Sequence, residues 1–344
     1  MDKLAKTSQE DSIFDLRPPD TSGLPEALRA DVEAAFEHQS KNIADSTRLA
    51  YKRAWKRFLA WARSNGLPAL PATPDTVLTY AAHLARKKGE QEGSKFATVR
   101  VAVAAIGAAH REAGIDPNPI RSERVRSQLR GIARDKGTRQ DSKRALTDAD
   151  VRRMVRLCPA GVIGLRDRAL ILLWFICASR RSEPAALELG DMEFREEGLY
   201  VTFRKTKTDQ EGKGLRKAVP YSSDALYCPV RATQAWVQCL HARGFTAGPV
   251  FRAIKGRDWV QQGALSPGAA VNRIKLYASK VGIEPGTVSG HSLRSGFATS
   301  AARKGRPERA IMKTTGHRKF DTVLKYIQDA NLMKDSAAVG ILDE

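Results

Sequence analysis

The sequence predicts a mostly α-helical protein of two domains, with one small antiparallel β-sheet in the second. Three observations support that class. The chain has 344 residues, enough for two cores of ordinary size. Hydrophobic residues make up 42% and charged residues 28%, a globular composition. Apolar residues recur at helical spacing along most of the chain, and β-branched and aromatic residues flank a polar turn within residues 198–222.

Residues 1–40 are polar and acidic and contain "RPPDTSGLP", so they are expected to form a mobile leader. A helical domain is expected over residues 41–134. It opens with "ADSTRLAYKRAWKRFLAWARSNG", in which Asp45 or Ser46 is the cap, Tyr51, Trp55, Phe58 and Ala62 form one stripe, and Gly66 is the stop. The other face carries Arg48, Lys52, Arg53, Lys56 and Arg57, a density of cations suited to a phosphate backbone. Further helices are predicted for "TPDTVLTYAAHLARKKG", "KFATVRVAVAAIGAAHREAG" and "SERVRSQLRGIARDKG".

The polar stretch at residues 135–145 reads as a linker. The second domain, residues 146–344, begins with "LTDADVRRMVRL", where Thr147 caps a helix, followed by "LRDRALILLWFICA", apolar all round and therefore buried. "GLYVTFRKTKTD" and "LRKAVPYS" read as a small β-meander. Everything after "CPVRATQAWVQCL" is expected to be helical again.

The 58 Lys and Arg outnumber the 38 Asp and Glu, a formal charge of +20 that attracts polyanions, nucleic acid first and an anionic membrane surface second. Residues 1–40 hold 4 basic and 9 acidic side chains, so the leader is not the binding arm, while residues 41–140 alone are net +12. No run approaches the ~18 apolar residues of a membrane span, and the N-terminus lacks a signal-peptide core, which predicts a cytoplasmic protein. Cys158, Cys177, Cys228 and Cys239 lack C-x-x-C spacing and sit in apolar contexts; they are expected to be reduced and buried, with no metal site.

Four separate pieces carry chemistry: "ASRRSEPAALELGDM", "FRKTKTDQ", "SGHSLRSGFAT" and "GHRKFDTVLKYIQ". Arg180 and Glu183 stand at i and i+3, where a carboxylate can orient a guanidinium, although most such pairs are surface salt bridges worth little. His291 and Arg294 repeat the spacing after Gly290. Together, two arginines, a lysine, two histidines and a late tyrosine supply what phosphoryl transfer from DNA requires without a metal. Arginine forks stabilise charge on a pentacoordinate phosphate, and a tyrosine whose free pKa is about 10 becomes a nucleophile given an acceptor and positive surroundings. Nine residues are about 2.5 helical turns, so His317 and Tyr326 need a chain break to meet, for which Gly316 and Asp321 are the candidates.

In order and context these pieces resemble the tyrosine recombinase (phage integrase) family, its Cre- and Xer-type members above all. The resemblance rests on R-x-x-E at Arg180 and Glu183, the hairpin lysine at Lys207, H-x-x-R at His291 and Arg294, G-H at His317, and Tyr326. The chain departs from the pattern at Ala178, where a glycine is usual, and at Pro184 after the glutamate. Lys205 lies on the same strand face as Lys207, so direction alone does not choose between them.

The resemblance implies a helical core-binding domain and a catalytic domain that together clamp duplex DNA, with no cofactor. It implies Tyr326 as nucleophile, Arg180, Arg294 and His317 on the non-bridging oxygens, His291 as acceptor of the tyrosine proton, Lys207 as general acid and Glu183 as orienting group. It also implies a tail helix that docks on a neighbouring protomer, hence a DNA-bound tetramer; Leu332, Met333, Ala337 and Ile341 form the required stripe. Arg48, Lys52, Lys56, Arg100 and Lys205 are the candidate DNA contacts. A type IB topoisomerase-like enzyme and a DNA-binding protein with a decayed centre are the competing readings.

Overall fold

The computed structural model describes residues 10, 12–15, 18–40, 42–87, 92–138, 142–204, 214–317, 320, 323–324, 326–327, 338 and 341. The chain divides into two compact units, Met1–Gln140 and Asp141–Glu344.

Helices α1 (Glu26–Ser40), α2 (Asp45–Ser64), α3 (Pro74–Ala85), α4 (Phe96–Glu112) and α5 (Glu123–Lys136) make up the first unit. The stripe read on α2 is its core face: Trp55, Phe58 and Ala62 are buried against Val77 and Tyr80 of α3 and Val99, Val103 and Ile106 of α4. Burying each such side chain contributes roughly 1.5–3 kcal/mol. Neither Asp45 nor Ser46 caps α2; the N-cap position falls on Ala44. His110 is fully buried, its Nε2 accepting the Ala72 N–H at 2.9 Å and its Nδ1 donating to the Ile106 carbonyl at 2.8 Å. That pairing uses a neutral ring, and burial pushes its pKa down.

The stretch expected to be a mobile leader is partly ordered. It holds α1, which buries none of its own side chains, and Phe14, which packs against Tyr51 and Trp55. The Trp55 indole donates to the Glu10 carbonyl at 2.7 Å. An aromatic anchor and a free indole N–H on α2 are what draw this polar segment down. Helix α5 also runs to Lys136, into the stretch expected to be linker.

The second unit opens with α6 (Asp148–Arg156), where Asp150 Oδ2 accepts the Thr147 N–H at 3.1 Å. Helix α7 (Val162–Ile176) is buried on nearly every side, as its unbroken apolar run requires. Its one buried carboxylate, Asp167, accepts from Arg166, Arg273 and Tyr277, so the charge is paired. After the short α8 (Ser182–Ala185), strands β1 (Met192–Arg195), β2 (Gly198–Phe203) and β3 (Leu215–Pro220) form an antiparallel sheet in that order. Helices α9 (Pro229–His241), α10 (Pro267–Lys280), α11 (Ser292–Arg303) and α12 (Glu308–Thr315) follow.

The expectation that the chain is purely helical after α9 is overturned. Strands β4 (Arg252–Lys255) and β5 (Trp259–Ala264) form a second antiparallel hairpin with Ile254 opposite Val260. Buried Arg252 anchors it, donating to the carbonyls of Ala247 and Gln262. Cysteines 158, 177 and 228 are buried and free, while Cys239 is only partly buried. Among the described residues no helix is long and apolar enough to cross a membrane.

Candidate active site

The Arg180 box is built at the turn between α7 and α8. Ala178 takes a left-handed φ of 46°, the conformation that favours glycine at this point. Glu183 is buried and closes the turn with both oxygens: Oε1 accepts from Arg180 Nη1 and Oε2 from the Arg180 N–H, each at 2.9 Å. Pro184 lies in the first turn of α8, where its missing N–H leaves nothing unpaired.

His291 is the N-cap position of α11, its N–H donating to Ser289 Oγ at 3.1 Å. Gly290 is needed here because a Cβ would meet the Arg181 Cβ at 2.6 Å. Arg294, one helical turn on, is 1% exposed and donates through Nη1 to the Ala178 carbonyl at 2.8 Å. Its Nε is buried with no hydrogen-bond partner among the described residues.

Helix α12 ends at Gly316 in the left-handed conformation, φ 66°. His317 follows outside the helix, whereas Phe320 and Tyr326 are helical, so the two rings do not share one continuous helix; their centroids are 6.1 Å apart. Asp321, the other candidate for the break, lies outside the described residues. Buried Thr315 donates its hydroxyl to the Ile311 carbonyl at 2.7 Å and bonds His317 Nδ1 at 2.8 Å, fixing the ring and leaving Nε2 for other work.

Burial pushes the Arg294 pKa down to about 10, helped by the like charge of Arg180 and opposed by Glu183 and Tyr326. Burial likewise lowers His317 to about 4, assisted by the positive charges of Arg294, Arg180, His291 and Lys217. Both shifts record the same condition: several cations share a partly dry site in which Glu183 is the carboxylate among the described residues. Such a site favours an anion.

Arg180, Glu183, His291, Arg294, His317 and Tyr326 are therefore brought to one place, whereas Lys205 and Lys207 lie outside the described residues. Of the candidate DNA contacts in the first unit, Lys56 and Arg100 are exposed. Arg48 and Lys52 are turned to internal work: Arg48 donates to the carbonyls of Ser40 and Ile43, holding the end of α1, and Lys52 pairs with Asp15. Lys217 and Thr315 went unread in the sequence. Lys217 is 7% exposed, donates to the Cys177 carbonyl, and lies close enough to lower the pKa of His317. Strand alternation carried its signal, since Lys217 shares a face with Leu215 and Val219.

Comparison with known proteins gives a family for this arrangement. Residues 144–332 match the model of the phage integrase family. The chain is 34% identical to the integrase/recombinase XerD homolog of Selenomonas ruminantium, over 86% of this chain and 85% of that protein. It is 25% identical to the tyrosine recombinase XerD of Pseudomonas aeruginosa, over 83% of this chain and 87% of that one. Among solved structures the fold is similar to that of the XerH site-specific recombinase bound to palindromic difH substrate, with a TM-score of 0.64, 12% identity and coverage of 97% and 95%. It is also similar to the Tn1549 transposon integrase, with a TM-score of 0.55, 17% identity and coverage of 88% and 97%. With more than half of the chain matched by the family model and a relative aligned along most of both chains, the protein belongs to the phage integrase family of tyrosine recombinases, enzymes that break and rejoin DNA in site-specific recombination.

Proposed function

We propose that Tyr326 is the nucleophile in a strand exchange on duplex DNA that needs neither metal nor ATP. The observation that carries this reading is the approach of Tyr326 to His317, 6.1 Å between ring centroids, beside the two arginines whose charges act on His317. Arg180 and Arg294 hold the non-bridging oxygens of the scissile phosphate, with the buried Nε of Arg294 as one donor awaiting an acceptor. His317, protonated when the phosphate is bound, donates a hydrogen bond through Nε2, and Glu183 orients Arg180. His291 accepts the phenolic proton as the tyrosine oxygen bonds to phosphorus, and Lys207 protonates the departing 5′ oxygen. The product is a 3′-phosphotyrosyl link and a free 5′-hydroxyl. Because the link conserves the phosphodiester bond, a second 5′-hydroxyl reverses the step and joins a new end.

Lys56 and Arg100 serve as phosphate contacts in the first unit, which gives the interaction its salt dependence. The assembly is a tetramer on two DNA sites, joined by the tail. Supporting this is a groove of about 340 Å³ in the second unit, lined by Phe175, Ile176, Phe297, Ala301 and Ile311. The apolar stripe of a neighbour's tail has the chemistry to fill it. Most of that tail lies outside the described residues; Ile341, which is described, is 72% exposed.

The test is chemical. The protein is trapped on a nicked duplex carrying a cleavage site mapped in the DNA that flanks its gene, digested with trypsin, and the DNA-linked peptide sequenced. Cleavage after Lys325 and Lys334 yields YIQDANLMK, whose single tyrosine is Tyr326. A DNA link on any other peptide refutes the assignment.

A further inference from the structure

Lys217 has no part in the roles above, yet its position demands a reason. It lies on β3 opposite Val201 and is 7% exposed. An ammonium group costs several kcal/mol to bury unless its surroundings repay it. Its Nζ lies 5.1 Å from the centroid of the Phe203 ring and donates to the Cys177 carbonyl. Glu183 is the carboxylate that acts on it, shared with Arg180.

The acceptor is informative. Three successive carbonyls at the end of α7 each receive a buried side-chain donor: Cys177 from Lys217, Ala178 from Arg294 at 2.8 Å, and Ser179 from the Trp174 indole at 2.8 Å. Between the first two lies the left-handed Ala178. A non-glycine residue in that region is strained and persists only where its neighbours fix it. The turn that Lys217 holds is thus the turn that supplies the Arg294 acceptor and leads directly into Arg180.

We propose that Lys217 is a positioning residue for strand cleavage, pinning the Cys177–Ala178 turn so that both arginines face the phosphate and adding buried positive charge behind them. The proposal rests on the reading of Tyr326, Arg180 and Arg294 as the cleavage centre. It differs from the hairpin lysine in that Lys217 delivers no proton to the leaving oxygen.

Lys217→Met keeps the length and apolar volume of the side chain while removing the charge and the donor. Single-turnover cleavage at saturating DNA is expected to slow by about 10- to 100-fold, the scale of a misplaced catalytic group. The Kd for DNA should change by less than about threefold, since one buried charge adds little to many phosphate contacts. The Tm should change little, because relief of the cost of burying the charge offsets the hydrogen bond lost at the Cys177 carbonyl. Lys217→Arg, which keeps charge and donor, should recover part of the rate. A 5′-bridging phosphorothiolate substrate should not restore Lys217→Met.

Cleavage by Lys217→Met at the wild-type rate overturns the proposal. So does rescue by the sulfur substrate, which would make Lys217 the proton donor, and so does a rate loss matched by a fall in Tm that Lys217→Arg does not repair. Should the Met variant lose its melting transition, Lys217→Gln carries the same comparison with a neutral donor for the carbonyl. Wild-type protein runs alongside: no wild-type adduct refutes the recombination chemistry itself, whereas a wild-type adduct with an unimpaired Lys217→Met variant refutes only the role of Lys217.

Discussion

Replacing Glu183 by Gln tests whether the turn before α8 organises the arginine that it contains. The carboxylate is buried, and each oxygen holds one donor of Arg180 at 2.9 Å, the guanidinium and the backbone N–H. An amide can keep one acceptor there but presents an NH2 to the other donor. The loss is one charge-assisted hydrogen bond, about 1.5–3 kcal/mol, while Glu183→Ala also leaves the partly buried guanidinium of Arg180 without its carboxylate and should cost more. For a unit of this size each kcal/mol lowers Tm by about 2–4 °C, so Glu183→Gln should melt roughly 3–12 °C below wild type. Cleavage should fall by about 10²-fold, because Arg180 loses the group that aims it. DNA affinity should not weaken, since removing an anion from the site leaves it more positive. The assay pairs differential scanning calorimetry with single-turnover cleavage. A variant with unchanged Tm and unchanged cleavage would refute the claim that this pair sets Arg180.

The histidine offers a pH test. His317 is neutral in the free protein, with a pKa near 4, and a phosphate that offsets the surrounding cations lifts it towards the ordinary value near 6.5. Binding then takes up a proton, so DNA affinity should rise as pH falls from about 6.5 towards 4. His317→Gln should flatten that slope; equal slopes in the two proteins would contradict it. Without DNA the same depressed pKa acts on folding with the opposite sense: the unfolded chain binds the proton first, so stability is lost as pH falls through that window. Removing residues 331–344 should leave half-site binding intact and impair assembly across a full site, checked by gel mobility; normal synapsis would show that the tail packs elsewhere. Lys207→Ala should cleave ordinary DNA slowly, by about a hundred- to ten-thousand-fold, and recover on a 5′-bridging phosphorothiolate. Lys205→Ala should only bind more weakly at raised salt. Sulfur rescue of Lys205→Ala alone would exchange the two roles.

Most helices were legible because each carries a stripe or an unbroken apolar run; α1, which buries none of its own side chains, was read as part of a mobile leader. The His317 to Tyr326 spacing also showed that the two rings cannot share one continuous helix, and His317 lies outside the helical segment that holds Tyr326. The β4–β5 hairpin escaped because its strands are four and six residues long, with a pattern too short to distinguish from a loop. Arg48 and Lys52 looked like a solvated cationic face. Local spacing holds no record that the carbonyl of Ser40 and the carboxylate of Asp15 return to meet them. Ala178 reads as a departure from the family's glycine, and the structure gives its cost as a left-handed φ held by carbonyl partners on either side. Lys217 was legible in principle: a lysine in phase with Leu215 and Val219 points inward.

The most direct test of the central claim is covalent trapping by Tyr326→Phe on a nicked duplex in excess EDTA, with wild type beside it. The account predicts a wild-type adduct that withstands denaturation and forms without divalent ions, because arginines take the place of metal ions in stabilising the phosphate. It predicts a Tyr326→Phe variant that binds the same DNA and forms none. An adduct formed by Tyr326→Phe, or a wild-type adduct that appears only when a divalent ion is supplied, would contradict it.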